Sequence, residues 1–139
     1  MEGWPAGFSF TKRPAQLILL DTNAVIRLEL KDRRTKVLQR FAGEWVVSPA
    51  TVLELQYLWE VGRLKLAKSV TIADWVDSAP WEIDEPPVLA WFEEARAQSW
   101  THDVFDRLIA AHAITRGLKL ATSDATIAAQ LGKSRVVAV

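Results

Sequence analysis

The feature that most constrains this chain is a short apolar run that ends on an acid. Leu17-Ile18-Leu19-Leu20 is followed at once by Asp21-Thr22-Asn23. Aliphatic residues without polar alternation are the pattern of a strand buried on both faces. Asp-Thr-Asn is the pattern of a helix N-terminus, because each short polar side chain can accept from the helix's unpaired N–H groups. The same grammar recurs along the chain. Trp45-Val46-Val47 runs into Ser48-Pro49, a capping hydroxyl with proline at the first helical position. The strand expected over 118–122 runs into Ser123-Asp124.

Between these units the periodicity predicts helices over 24–30, 35–42, 49–60, 88–100, 103–116 and 124–131. A short helix ending near 78 opens on a Thr71/Asp74 capping box. Further strands are expected over 81–83 and 135–139. Leu89, Phe92 and either Ala95 or Arg96 are expected along the inner edge of the 88–100 helix. The 103–116 helix is apolar around nearly its whole circumference and is expected to be buried. Strands alternating with helices define an α/β domain with a mainly parallel central sheet flanked by helices. Residues 1–16 lack periodicity and are expected to be an extension outside a single domain over 17–139.

Composition sets the outer bounds. At 139 residues, half of them hydrophobic and about a quarter charged, the chain is globular and long enough for one core. It has no cysteine, hence no disulfide framework and no thiolate metal site. No apolar run is long enough to cross a bilayer, and the N-terminus lacks a signal-type apolar stretch, so the expectation is a cytoplasmic protein without membrane contact. Lys and Arg balance Asp and Glu at 17 each, which argues against binding nucleic acid by bulk positive field. The balance is uneven along the chain: net +4 over 1–73, −8 over 74–106 and +4 over 107–139.

In an open parallel sheet, ligands bind beyond the carboxyl ends of the strands. Asp21 and Asp124 follow two such ends. Glu54 lies on the helix leaving a third, about 9 Å from Ser48 along the axis. Asp106 and Asp103 open the buried helix. Each acid has a plain structural role available: Asp21, Asp103 and Asp124 as caps, Glu54 as partner of Arg27 or Arg63, and Asp106 in a first turn that favours negative charge. Taken together they are expected to converge at one edge of the sheet. Two carboxylates about 4 Å apart repel by roughly 4 kcal/mol at an effective dielectric of 20, so a cluster takes up protons or a cation. An all-oxygen set suits Mg²⁺ or Mn²⁺, ions that support displacement at phosphorus.

Four segments in this order and spacing resemble the PIN domain family, with VapC-type ribonuclease toxins as the nearest subgroup. They are the run from Leu17 to Asn23, Ser48-Pro49-Ala50-Thr51-Val52-Leu53-Glu54, the run from His102 to Ala113, and Ala121-Thr122-Ser123-Asp124. The resemblance implies that Asp21, Glu54, Asp106 and Asp124 hold one or two Mg²⁺ or Mn²⁺ ions, with Asp103 as ligand or cap. It assigns Thr22, Asn23 and Ser123 supporting roles. It further implies an endoribonuclease acting on an RNA substrate, a homodimer, and a VapB-type antitoxin. Two positions depart from the subgroup: Val104 stands where proline is common, and Leu53 where tryptophan is common.

The rival readings are a non-catalytic or regulatory PIN-like binding protein, and a nuclease of the same fold acting on DNA or in RNA processing. The basic run with Arg33, Arg34 and Lys36 is either a grip on the RNA backbone or a solvated helix face. His112 is expected to face away from the acids and to serve packing. Trp45, Trp59, Trp75, Trp91 and Trp100 are expected to be structural.

Overall fold

The computed structural model describes residues 17–139, so the extension over 1–16 lies outside the described residues. Strand β1 (Ile18–Leu20) leads into α1 (Thr22–Glu29), and a 3-10 helix (Arg33–Phe41) returns the chain to β2 (Trp45–Val47). Then follow α2 (Pro49–Glu60), α3 (Ile72–Ser78), β3 (Glu82–Ile83), α4 (Val88–Ala97), α5 (Val104–Arg116), β4 (Lys119–Thr122), α6 (Ala125–Leu131) and β5 (Val136–Ala138). The strands form one sheet in the order β3-β2-β1-β4-β5, and every pairing is parallel. The chain grows outward from β1 in one direction, then crosses back to start β4 on its other side. That reversal opens a crevice above β1 and β4, where Asp21 and Asp124 stand.

The unbroken apolar run of β1 is explained by packing on both faces. Ile18 and Leu20 join one core with Val47, Leu55 and Trp75, while Leu17 and Leu19 join the other with Ile109, Leu120 and Ile127. Successive side chains of a strand point to opposite faces, so a strand inside a two-sided sheet must be apolar throughout. Local signals behave as the sequence predicts. Ser48 caps α2 by accepting from the Ala50 N–H at 3.1 Å, and Thr71 with Asp74 closes a reciprocal capping box on α3. Among the described residues, no helix is long and apolar enough to cross a membrane.

Three expectations change. The second helix is a 3-10 stretch, Arg33–Phe41, opened by Asp32. On α4 the inner edge is Trp91 and Ala95, while Leu89 is 83% and Phe92 50% exposed. Apolar residues on α4 supply two stripes, one through Leu89 and Phe92 and one through Trp91 and Ala95. The stripe with the larger indole wins, and Trp91 Nε1 donates to the Leu108 carbonyl at 2.7 Å. Trp59, expected to be structural, is exposed on α2 with Leu53, and Val61 just past the helix is exposed too.

Candidate metal centre

The site is built on the carboxyl ends of β1 and β4. The Asp21 N–H donates to the Ala121 carbonyl at 2.9 Å, which continues the β1–β4 ladder and buries the acid. Both of its oxygens are held: Oδ1 accepts from the Thr22 N–H at 2.8 Å and Oδ2 from the Thr122 hydroxyl at 2.7 Å. The Thr122 oxygen in turn accepts from the Asp124 N–H at 3.0 Å. One buried hydroxyl therefore links two acids from two strand ends. Asp124 caps α6, its Oδ1 accepting from the N–H groups of Thr126 and Ile127 at 2.8 and 3.0 Å.

Glu54 and Asp106 approach from the helices. Glu54 is half-buried on α2, and the Thr22 side chain hydrogen-bonds towards it. The Thr22 and Thr51 hydroxyls, both buried, lie 3.3 Å apart beneath it. Asp106 is half-buried in the first turn of α5. Asp103 is the cap of that helix, its Oδ1 accepting from the Asp106 N–H at 3.0 Å. Arg107 turns away and donates to the Thr101 carbonyl at 2.8 Å.

The electrostatics tie these residues together. Burial, followed by the charges of Asp103, Asp21, Asp124 and Glu54, pushes Asp106 up to about 7. Glu54 is raised by burial first and then by Asp21 and Asp103, against the Thr22 hydrogen bond and the more distant pull of Arg63. Asp21 is raised by burial, with Asp124 and Asp103 adding to it and the hydrogen bonds from Thr122 and Thr22 opposing. Acids from four elements thus feel one another across a shared crevice.

They do not yet enclose an ion. Among the described residues, no group of three or more Asp, Glu or His side chains stands placed to hold a metal. Both Asp21 oxygens and one each of Asp103 and Asp124 accept from protein donors. The donor set nevertheless fits a hard divalent cation. It is all oxygen, and the repulsion that adds to burial in raising Asp106 is what an added positive charge relieves.

Several sequence expectations resolve here. Thr22 joins the network, whereas Asn23 is exposed and Ser123 half-buried, and neither enters it among the described residues. Arg27 donates to the Val139 carbonyl at 2.7 Å, leaving Arg63 as the cation near Glu54. The basic run sits elsewhere. Its 3-10 helix joins the far end of α1, about 12 Å from Asp21 along the axis, to the start of β2, where the Ile18 N–H donates to the Glu44 carbonyl at 2.9 Å. Arg33, Arg34 and Lys36 therefore lie towards the opposite edge of the sheet from the acids. Arg34 is paired with Asp32 at 2.7 Å.

Thr122 was not singled out from the sequence. Its signal was position: it is the last residue of an apolar strand ending beside Asp124. His112 does face away from Asp106, but it does more than fill space. It is fully buried, with Nε2 2.8 Å from Asp84 Oδ2, and Arg116 grips the same carboxylate at 3.0 and 2.9 Å.

A five-stranded parallel α/β domain with electrostatically coupled acids following β1 and β4 and on the flanking helices defines the class. The chain belongs to the PIN domain family, whose model matches residues 18–131. PIN domains are generally metal-dependent nucleases. No curated protein matches the chain. Among solved structures it is similar to a toxin–antitoxin complex from Klebsiella pneumoniae, at 22% identity and TM-score 0.62, covering 86% of this chain and 95% of that one. It is also similar to DNA-bound VapBC from Salmonella typhimurium (20%, TM-score 0.62, 88% and 97% covered). A third is VapBC2 from Rickettsia felis bound to a promoter DNA fragment (20%, TM-score 0.63, 88% and 98% covered). At these identities the likeness is one of fold.

Proposed function

We propose that this PIN domain is a metal-dependent endoribonuclease and the toxin of a VapBC-type pair. The observation that carries the metal dependence is the elevation of Asp106 to about 7 by burial and by four other acids, Asp103 from its own helix and Asp21, Asp124 and Glu54 from three other elements. Asp21, Glu54, Asp106 and Asp124 would hold one or two Mg²⁺ or Mn²⁺ ions, which supply activation of water and stabilisation of oxygens during in-line displacement at phosphorus. Asp103, engaged as the α5 cap, ranks below them. Thr122 fixes the rotamer of Asp21 and the backbone of Asp124. Asp106, raised towards neutral pH, would be drawn to its charged form by a divalent cation held there. The pairing with a VapB-type antitoxin is supported by the fold likeness to VapBC complexes. A homodimer is supported by the exposed Val88 and Leu89 on α4 and by Phe92 and Val104, which line a hollow of about 170 Å³ between α4 and α5.

Asp21→Asn should abolish Mn²⁺-dependent cleavage of single-stranded RNA while leaving the circular dichroism spectrum intact. Cleavage that survives both this substitution and EDTA sinks the mechanism. One observation favours the rival reading of a non-catalytic binding protein: no three acids stand placed around an ion among the described residues. Cleavage of single-stranded RNA that requires Mn²⁺ and stops with EDTA decides between them, because a non-catalytic binding protein turns over no RNA with or without the ion. DNA and RNA oligonucleotides of one sequence, assayed side by side, separate the ribonuclease from a DNA-directed enzyme.

A further inference from the structure

The buried middle of α5, Ile109-Ala110-Ala111-His112-Ala113, includes three alanines. A smooth surface of this kind offers few large side chains to interlock, so apolar packing alone fixes weakly both the rotation of the helix and its height against the sheet. Directional bonds add what packing lacks: beside the Trp91 indole on the Leu108 carbonyl, three come from Asp84. That residue follows β3, and its N–H donates to the Val47 carbonyl at 2.9 Å, which pins it to the end of β2. Val47 leads directly into Ser48, the cap of the helix that carries Glu54. From this anchored position the carboxylate takes His112 Nε2 at 2.8 Å and Arg116 through both a 3.0 and a 2.9 Å bond. The Trp91 ring closes over His112, with centroids 5.5 Å apart. An apolar side chain of similar volume would fill the same space without leaving His112 Nδ1 buried and unpaired. What the imidazole adds is direction.

We propose that Asp84, His112 and Arg116 are a positioning network that sets the rotation and height of α5, and through it the place of the Asp106 carboxylate relative to Asp21 and Glu54. The two grips lie about 9 and 15 Å along the helix from Asp106, and His112 is turned about 120° from it around the axis. With side chains a helix is about 10–12 Å across, so a 20° turn carries a surface carboxylate roughly 2 Å. A misplacement of about 1 Å is enough to cost on the order of a hundredfold in a positioned reaction. The functional consequence rests on the metal-site reading above; the geometric one does not.

The test uses Asp84→Ala and His112→Gln, whose amide N–H reaches Asp84 as the imidazole does. Folding is checked by circular dichroism, Mn²⁺ binding by calorimetry, and the Asp106 position by crystal structures of the full chain. In Asp84→Ala the Asp106 carboxylate should move by more than about 1 Å relative to Asp21, and Mn²⁺ affinity should fall about tenfold, as for other residues that orient metal ligands. His112→Gln should keep affinity within about threefold of the parent. A folded Asp84→Ala protein with Asp106 in its original place overturns the proposal, even if its melting temperature drops. If the parent protein binds no Mn²⁺ while Asp84→Ala still displaces Asp106, the network stands and the metal reading falls. Should Asp84→Ala not fold, Arg116→Lys, which loses the two-pronged grip, is judged by the same displacement.

Discussion

Asp106 is held where neither burial nor its neighbours tolerate its charge, and this gives the protein a pH dependence of definite sign. An ordinary aspartate releases its proton near 3.8, whereas Asp106 in the fold holds it to about 7. Between these values the folded chain carries a proton that the unfolded chain has lost. The associated stability is complete below about pH 4 and disappears as the pH rises through 7. The side chain is only half-buried, so solvent screening reduces the effect to about 1–2 kcal/mol. Urea denaturation at pH 5 and pH 8 should show this loss, and Asp106→Asn should remove it. Mn²⁺ added at pH 8 should restore stability to the parent chain but not to the variant.

Asp124 allows cap and ligand to be separated at a single residue. Asp124→Asn keeps an acceptor for the Thr126 and Ile127 N–H groups but removes the charge, so it should melt like the parent and bind Mn²⁺ more weakly. Asp124→Ala should lose about 1 kcal/mol of stability as well, the usual worth of an N-cap. Equal melting temperatures for the two variants would show that the cap contributes nothing. Residues of this kind were legible in the sequence, because an acid just after an apolar strand is both a cap and a candidate ligand. Thr122 and Asp84 were not, since their roles arise only against partners 101 and 28 positions away.

At the scale of elements, the starts of helices are better specified than their orientation. Ser48, Thr71, Asp103 and Asp124 cap the helices that their positions predict, because capping is satisfied within three residues. The inner edge of α4 was misassigned because its apolar residues supply two stripes, and only contact with α5 selects between them. The end of α5 is equally local. Gly117 takes the left-handed conformation, with φ 66°, and its N–H donates to the Ile114 carbonyl at 3.2 Å. Gly117→Ala should destabilise the chain by about 1 kcal/mol, the cost of a side chain at that geometry. A shift in the denaturation midpoint without a change in its slope is the expected result.

At the scale of the molecule, the sheet has the candidate acids at one edge and the basic run with Arg33 and Lys36 towards the other. If Arg33 and Lys36 hold RNA, they do so far from the acids. Changing both to Glu should leave cleavage of a five-nucleotide substrate within about twofold while weakening binding of long RNA. Losing two phosphate contacts should also reduce the salt dependence of binding by about 1.4 in log–log slope. An equal loss on short and long substrates would place the run at the cleavage edge instead.

The sequence by itself determined the strand–helix alternation, the caps, the acids that follow the strands and the family resemblance. These depend on spacing and on contacts within a few residues. The tertiary structure decided which acids repel one another and which stripe of α4 is buried. It also moved the basic run away from the acids and turned His112 from packing into a bonded partner of Asp84. Each of those outcomes depends on distances between elements far apart in the chain, and periodicity carries no information about such distances.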